Sequence, residues 1–265
     1  MRAAGAAWRI AWTLAPILAA VGCWELAAST GALDATMFPP PSTIVADLAR
    51  NGWEVGIGFD RVSIAETVGA SLLRVTLGLL AAFACSFALG GAIAAFDPVR
   101  VTVEPIMRLL APIAPVAWVP FGLALFGVGN SAAVFLVFLG VVFVLTLGIA
   151  QAVRLVPREY LQIARTMGAS RARVWRVVIL PYVLPRAFLL LRFNFFGGWM
   201  AVLAAEMVGL RSGLGALVMV GRESANMTLV LFGMFLIGVT GALVDGVLAH
   251  IQRRYLWWGS AEPWR

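Results

Sequence analysis

The sequence predicts an all-α membrane protein with six transmembrane helices. Of its 265 residues, 62% are hydrophobic and 12% are charged, whereas a soluble domain is about half apolar and about a quarter charged. A core surrounded by water cannot bury so much apolar surface, so the bilayer must be the solvent for much of the chain. Backbone groups in a bilayer pair within helices or closed barrels. Long apolar runs without period-2 alternation favour helices.

Six segments reach the length of about 20 mostly apolar residues that crosses a bilayer. They lie at about 10–30, 67–96, 107–127, 131–151, 186–208 and 227–250. We expect a single transmembrane domain over residues 1–265, with an N-terminal helix at about 10–30 and core helices at about 67–250. Because six is even, both termini are expected on the same side of the membrane.

The distribution of arginine predicts which side that is. All 20 basic residues are arginine. With the termini in the cytoplasm, 15 arginines lie in cytoplasmic segments and four in outer segments, which agrees with the positive-inside rule. The four outer residues are Arg50, Arg61, Arg211 and Arg222. The sequence therefore predicts a multi-pass protein with both termini in the cytoplasm.

The composition also excludes several classes of enzyme. Without lysine there is no Walker A motif for ATP and no Schiff base for pyridoxal phosphate. The single histidine, His250, excludes the HExxH zinc helix, and no G-x-S-x-G nucleophile motif occurs. We therefore expect a non-catalytic chain without catalytic, cofactor-binding or metal-binding residues. Cys23 and Cys85 fall within predicted spans and are expected to be packing residues.

In the loop after the first span, FPPPSTIVADLARNG (38–52) predicts a proline-stiffened start and a short amphipathic helix. Ser42 or Thr43 is expected to cap this helix. Its apolar side is expected to consist of Ile44, Val45 and Leu48.

The second span carries a small residue at every fourth position. These residues are Gly78, Ala82, Ser86, Gly90 and Ala94. Small residues at this spacing let another helix backbone approach closely, so we expect a partner helix to cross here. The alternative is chance, because alanine and glycine are abundant in this chain.

The third span is interrupted by prolines in PIAPVAWVPFG (112–122). Proline removes intrahelical hydrogen bonds and kinks a helix. Broken membrane helices often line substrate paths, because the freed carbonyls need a polar surface. Pro115, Trp118 and Pro120 are therefore candidates for the lining of a path. The alternative is a fixed kink that shapes packing.

Four ionisable residues lie within the spans: Arg74, Arg192, Glu206 and Asp245. Such groups are costly in a membrane and are functional candidates by default. At about 1.5 Å of rise per residue, Arg74 and Glu206 lie at compatible depths near the outer side, which predicts an ion pair. Arg192 and Asp245 lie toward the cytoplasmic side and are expected to pair likewise. Two interpretations of these pairs are open. Both pairs are structural contacts within one subunit, or Arg74 and Glu206 border the outer gate of a path.

The longest cytoplasmic loop, at about 152–185, contains the arginine-rich stretch ARTMGASRARVWRVVILP. Pro157 is suited to begin a helix, and Gly168 ends it because glycine tolerates a left-handed cap. Ser170 can cap a second short helix, RARVWRVVIL. We call residues 158–181 the elbow.

The second helix of the elbow has two faces. Its apolar face consists of Val174, Val177 and Val178, and its polar face of Arg171, Arg173 and Arg176. Pro181 and Pro185 are expected to re-aim the chain toward the membrane. The arginines have three possible roles. They fix the topology and bind anionic lipid headgroups, they bind nucleic acid, or they form a docking surface for a cytoplasmic partner. The pre-shaped glycine hinge favours docking, and so small a basic patch disfavours nucleic acid.

The elbow resembles the cytoplasmic loop motif of bacterial ABC importer permeases. That motif begins Glu-Ala-Ala, continues to a glycine and ends in Leu-Pro. In this chain the corresponding positions are Gln162-Ile163-Ala164, Gly168 and Leu180-Pro181. The spacing from Gly168 to Pro181 is kept, whereas Gln162 stands in place of the glutamate.

The resemblance covers nearly the whole chain. The stretches FPPPSTIV, SLLRVTLG, PIAPVAWVPFGLALFGVG, LAAEMVGLRSGLGALV and DGVLAHIQRRYLWW are similar to the nitrate/sulfonate/taurine branch of these permeases. The resemblance implies a type I ABC importer permease fold in the bacterial inner membrane. It also implies a translocation path for a small anion, such as a sulfonate, taurine or nitrate, delivered by a periplasmic solute-binding protein.

The resemblance further implies a homodimer with a second permease copy and two cytoplasmic ATPase subunits, which would bind ATP and magnesium in place of this chain. The residues expected to contact the ATPase are Gln162, Ala164, Arg165, Gly168, Ala169, Ser170 and Arg171. The path candidates are Arg74, Pro115, Trp118, Pro120 and Glu206. Two alternatives remain: a secondary transporter without an ATPase, which would need titratable groups near mid-membrane, and a membrane scaffold protein.

Overall fold

The computed structural model describes residues 2–34, 36–50, 54–55 and 62–259. Within these ranges the chain is nearly all helical, which confirms the predicted all-α class. Two of the arginines used to predict the orientation in the membrane, Arg61 and Arg265, lie outside the described residues.

Eleven α-helices and one pair of very short strands follow one another along the described part of the chain. The helices are α1 (Arg2–Ser29), α2 (Pro41–Arg50), α3 (Ile64–Ala95), α4 (Asp97–Leu110), α5 (Val119–Phe126), α6 (Asn130–Arg154), α7 (Arg158–Thr166), α8 (Arg171–Val174), α9 (Leu180–Gly209), α10 (Leu214–Glu223) and α11 (Met227–Tyr255). The antiparallel strands are β1 (Glu54–Val55) and β2 (Val62–Ser63). Single turns of 3₁₀ or π helix lie at Pro115–Trp118, Trp175–Ile179 and Trp257–Gly259.

The chain forms two compact units, residues 1–67 with 217–236 and residues 68–216 with 237–265. The first unit has a small core in which Leu217 and Phe232 are buried, and Ile44 and Ile64 pack against them. Ile44 belongs to α2, so the amphipathic helix predicted after the first span is confirmed.

The residues assigned to the cap and the apolar side of α2 differ in part from the prediction. Val45 is exposed, and the side chain of Leu48 lies outside the described residues. The predicted caps are wrong, because α2 begins at Pro41 and Ser42 already lies within it. The N–H and Oγ of Ser42 donate instead to the carboxylate of Glu25 on α1, at 3.1 and 2.7 Å. A carboxylate at the positive end of the helix dipole thus replaces the expected cap.

Four helices in the described part of the chain are long and apolar enough to cross a membrane. They are α3, α6, the continuous stretch Arg171–Gly209 and α11. They correspond to the second, fourth, fifth and sixth predicted spans. The first predicted span, 10–30, overlaps α1, but only residues 18–29 form an apolar helix there, and this helix is shorter than the candidate spans, so the span is not confirmed.

The third predicted span is sharply bent. α4 and the helical stretch Pro115–Phe126 meet at 101° and together form a further candidate span. The break between them contains Pro112, as the proline pattern predicted. The predicted start at residue 107 is wrong, because α4 begins at Asp97 and is an amphipathic helix with none of its residues buried.

The second unit is centred on α6. A Cβ atom on Gly78 would lie 2.5 Å from the side chain of Val137, and one on Gly90 would lie 2.8 Å from the carbonyl oxygen of Thr146. The small-residue stripe of α3 therefore packs directly on α6, as predicted. α9 approaches α6 equally closely, since a Cβ on Gly148 would lie 2.6 Å from a methyl carbon of Leu190.

Candidate functional site

The first half of the elbow is α7, which ends in a Schellman motif. The N–H of Gly168 donates to the carbonyl of Arg165 at 2.9 Å. The N–H of Ala169 donates to the carbonyl of Ala164 at 3.0 Å. Gly168 has φ +75°, in the left-handed region that favours glycine. The predicted glycine cap is therefore confirmed, and the turn is hydrogen-bonded.

The second half of the elbow begins with α8. The Oγ of Ser170 accepts the N–H of Arg173 at 3.4 Å, which confirms Ser170 as the N-cap. α8 then continues through a π turn at Trp175–Ile179 into α9.

The prediction that Pro181 and Pro185 re-aim the chain is wrong. Residues 171–209 form one continuous helix of 39 residues. Pro181 lies in the first turn of α9, directly after the π turn, and the helix continues through it. The second helix of the elbow is consequently the first part of a membrane helix and not a separate short helix.

The π turn also changes which apolar residues face inward. Val174 and Ile179 are buried, at the five-residue spacing of a π turn. Val177, which helical spacing placed on the same face, is 66% exposed. The three arginines assigned to the polar face, Arg171, Arg173 and Arg176, are all exposed as predicted.

α7 leaves three large apolar side chains in the open. Tyr160 is 52% exposed, Ile163 58% and Met167 81%. Sequence reasoning missed these residues, although their spacing of three and four is that of one helix face. The residues predicted to contact a partner lie among them: Gln162, Arg165, Gly168, Ser170 and Arg171 are exposed, and Ala164 and Ala169 are half-buried. An exposed apolar patch with a polar rim is typical of a protein–protein interface.

The C-terminal turn is bound to the exit of the elbow. Pro185 has no N–H, so it leaves the carbonyl of Pro181 without its helical partner. The indole Nε1–H of Trp258 donates to this carbonyl at 2.9 Å. The ring of Tyr182 also lies under the guanidinium of Arg186, at 5.1 Å.

Replacing Trp258 by phenylalanine is expected to lower the free energy of unfolding by about 1 kcal/mol or less, the range of one partly exposed hydrogen bond. The Pro185→Ala background supplies the control, because alanine returns an N–H to the Pro181 carbonyl. In the Pro185→Ala background, Trp258→Phe should lower the free energy of unfolding by clearly less than it does in the unchanged protein. Thermal unfolding of the purified protein in detergent measures this difference. An equal cost in both backgrounds would show that the indole does not replace a missing helical donor.

The predicted ion pair between Arg74 and Glu206 is confirmed. Arg74 Nη1 lies 2.6 Å from Glu206 Oε1, with 4% and 0% of the two side chains exposed. Glu206 also accepts the hydroxyl of Ser71 at 2.8 Å and the N–H of Gly215 at 2.9 Å. Arg74 donates further to Asn130 Oδ1 and to the carbonyl and hydroxyl of Ser212, and these bonds measure 2.6 to 2.8 Å.

The glycines after α9 make room for this pair. Gly213 has φ +113°, and a Cβ there would overlap the carboxylate of Glu206. A Cβ on Gly215 would lie 2.6 Å from the carbonyl oxygen of Leu203. The stretch GLRSGLG (209–215) therefore folds back onto the end of α9 around a fully hydrogen-bonded carboxylate. This arrangement gives the pair a structural role in holding the turn after α9.

The second predicted pair is confirmed as well. Arg192 Nε and Nη2 donate to the two carboxylate oxygens of Asp245 at 2.6 and 2.7 Å, a bidentate contact between α9 and α11. These side chains are 30% and 25% exposed, so this pair, unlike the first, reaches a groove at the surface.

The bend of the third span contains three of the path candidates, whereas Arg74 and Glu206 lie in the ion pair described above. Pro115 and Trp118 form a 3₁₀ turn, and Pro120 lies in the first turn of α5. Trp118 is half-buried between the rings of Phe121 and Phe143, at 5.8 and 5.9 Å. Its indole Nε1 is shielded and has no hydrogen-bond partner among the described residues.

A polar cluster at the start of the cytoplasmic loop that contains the elbow was not predicted from the sequence. Glu104 on α4 accepts from Arg108 at 2.7 Å and from Arg154 at 2.6 Å. The second contact ties α4 to the end of α6, where the elbow loop begins. The only local signal was the spacing of four between Glu104 and Arg108. Among the described residues, no group of three metal-ligating side chains is close enough to hold a metal ion.

The chain is similar to known transport proteins. The family described as binding-protein-dependent transport system inner membrane component matches residues 74–257. The taurine transport system permease protein of Escherichia coli is 30% identical, over 89% of this chain and 85% of that protein. The bicarbonate transport system permease protein of Synechococcus elongatus is 28% identical, over 91% and 87% of the two chains. The nitrate import permease protein of Leptolyngbya laminosa is 29% identical, over 78% and 74%.

A solved structure shares the fold. Inward-facing structures of the MetNI methionine ABC transporter contain a chain that superposes with a TM-score of 0.62 at 19% identity. The match covers 72% of this chain and 94% of that one. It confirms the type I ABC importer permease fold.

Proposed function

Since this chain belongs to the family of binding-protein-dependent transport system inner membrane components and is a permease subunit of an ABC importer, we propose that it passes a small anion and is driven through its elbow by a separate ATPase. The observation that carries this proposal is the elbow itself. It combines a hydrogen-bonded turn, exposed arginines and an exposed apolar patch at the end of a membrane helix.

The transported solute is a small anion such as a sulfonate, taurine or nitrate. The relatives are named for taurine, bicarbonate and nitrate, which are small solutes that carry charged oxygen atoms. The path runs beside the bend at Pro115, Trp118 and Pro120, where the unpaired indole N–H of Trp118 can donate to such a solute. Arg74 and Glu206 border the outer end of the path, and they act by holding the turn after α9.

The partners are a second copy of the permease, two cytoplasmic ATPase subunits and a periplasmic solute-binding protein. ATP and magnesium are bound by the ATPase subunits and supply the free energy. Tyr160, Ile163 and Met167 give the elbow an apolar contact surface, and Gln162, Arg165 and Arg171 surround it with polar groups. With the elbow in the cytoplasm, both termini are cytoplasmic, in agreement with the positive-inside rule.

Motion passes from the elbow to the membrane through a continuous helix. α8, the π turn and α9 have no break between them, so a displacement of the elbow moves α9 as one body. α9 packs tightly on α6 through Gly148 and Leu190, and tight packing transmits such a shift without much local compression. Movement of the two permease copies in this way alternates access to the path between the two sides of the membrane.

The proposal is tested on the elbow surface. We expect Ile163→Glu to reduce association with the ATPase at least about tenfold, because it places an unpaired charge in an apolar contact. Leu155→Glu is the matched control: Leu155 lies in the same loop and is 54% exposed, but it precedes α7. Association is measured by titrating purified ATPase onto the permease in nanodiscs, and transport by ATP-dependent uptake of taurine or nitrate into proteoliposomes with the binding protein.

Equal loss of association in both variants would contradict docking at the elbow. Uptake that proceeds without any ATPase would instead favour a secondary transporter. Absence of uptake with a bound and active ATPase would favour a scaffold.

A further inference from the structure

Residues of α9, α11 and the C-terminal turn enclose a groove of about 470 Å³. Its polar wall consists of Arg192, Asp245, Gln252 and Arg253. Its apolar wall includes Leu189 and Leu256. α9 begins and α11 ends near this groove, so it lies at the elbow end of the two membrane helices.

Among the described residues, the lining of the groove carries one more positive charge than negative charge. Arg192 is neutralised by its bidentate contact with Asp245. Arg253 is exposed, and no acidic side chain in the described part of the chain lies within ion-pair distance of it. Gln252 adds an amide donor beside it. The groove can therefore donate several hydrogen bonds to one anionic group and stabilise its charge.

The surroundings of the groove are those of a membrane interface. Tyr255 and Trp258 next to it in the chain are 68% and 48% exposed, and such aromatic residues mark the headgroup level of a bilayer. The apolar part of the lining, Leu189 and Leu256, lies next to the polar groups of the groove. An anion bound here would have apolar surface on one side and arginine on the other. This lining is complementary to a phospholipid, whose anionic phosphate lies next to apolar acyl chains.

We propose that this groove binds the headgroup of an anionic phospholipid, with its phosphate on Arg253 and Gln252 and its glycerol and upper acyl chain against Leu189 and Leu256. Basic pockets between membrane helices suit such headgroups. A free oxyanion such as inorganic phosphate could form the same hydrogen bonds as the lipid phosphate. It has no acyl chain, however, so contact with the apolar wall would not strengthen its binding. This proposal goes beyond the transport function and depends neither on the solute nor on the ATPase.

The test uses the full-length permease in neutral detergent, titrated with dioctanoyl-phosphatidylglycerol, dioctanoyl-phosphatidylcholine or inorganic phosphate. Bound lipid is counted by native mass spectrometry, and thermal unfolding checks that each variant is folded. We expect the phosphatidylglycerol complex to be the tightest. Arg253→Gln should weaken it about tenfold, the loss of one charge-assisted hydrogen bond.

Arg254→Gln is the matched control, because Arg254 is the adjacent arginine, is also exposed and does not line the groove. It should change the affinity for phosphatidylglycerol less than about twofold, the size of a screened surface interaction. Equal weakening by both substitutions would reduce the effect to general surface charge and overturn the proposal. Equal binding of phosphatidylcholine, or binding of inorganic phosphate as tight as that of phosphatidylglycerol, would also overturn it.

Discussion

Replacing Glu206 by glutamine is expected to lower the free energy of unfolding by about 3–5 kcal/mol, because it leaves the buried charge of Arg74 without a counter-ion. The two side chains are 4% and 0% exposed, so water cannot replace the lost carboxylate. Glutamine keeps the size of the side chain, which separates the effect of charge from that of a cavity. The measurement is the thermal or denaturant-induced unfolding of the purified protein in detergent.

A double-mutant cycle identifies the cause of this loss. Arg74→Gln combined with Glu206→Gln removes both charges and leaves no unpaired buried charge, so it should recover part of the stability lost in Glu206→Gln. Arg100→Gln is the surface control, since it breaks an exposed pair with Asp97 and should change the melting temperature little. A double variant as unstable as the sum of the single variants would show that the two charges are not coupled.

The second large effect concerns the turn of the elbow. Gly168→Pro is expected to reduce ATP-dependent transport at least about tenfold while membrane insertion is unchanged. Proline requires φ near −65°, whereas Gly168 has φ +75°. It also removes the N–H that donates to the carbonyl of Arg165 at 2.9 Å. Both changes destroy the Schellman motif that orients α7 relative to α8. Uptake into proteoliposomes, normalised to the amount of inserted permease, measures the result.

Gly168→Asn is the matched variant. Asparagine tolerates the left-handed region better than other non-glycine residues, and it keeps the N–H. No atom lies within 4 Å of a Cβ added at this position. We expect this variant to retain about half or more of the transport, since the strain it introduces is only about 1 kcal/mol. If asparagine abolished transport as completely as proline, the turn geometry would not be the cause, and the absence of a side chain would be.

Much of the membrane domain was predictable because the signals were local. Runs of apolar residues marked the long helices, and the four-residue spacing from Gly78 to Gly90 predicted the close contact with α6. Gly168 and Ser170 predicted the caps of the elbow, since each acts on backbone groups within a few residues. The two ion pairs within the predicted spans were also predictable, because charges in a membrane have very few possible partners.

Other features depended on contacts between distant parts of the chain. Trp258 bonds to Pro181, 77 residues away, and this contact compensates a proline that the pattern alone assigned to a change of direction. The π turn, which carries α8 into α9 and turns Val177 outward, has no local signature. The exposure of Tyr160, Ile163 and Met167 likewise depends on what does not pack against α7.

The sequence by itself determined the all-α membrane class, the positions of the long helices, the ion-pair partners and the caps of the elbow, because short-range spacing and the cost of charge in a bilayer encode them. Only the tertiary structure decided that the second helix of the elbow continues into α9, that the third span bends by 101°, and that a groove lined by Arg253 lies beside α11. These features arise where backbone groups freed by proline, or side chains at helix ends, find partners far along the chain, and no local pattern specifies such partners.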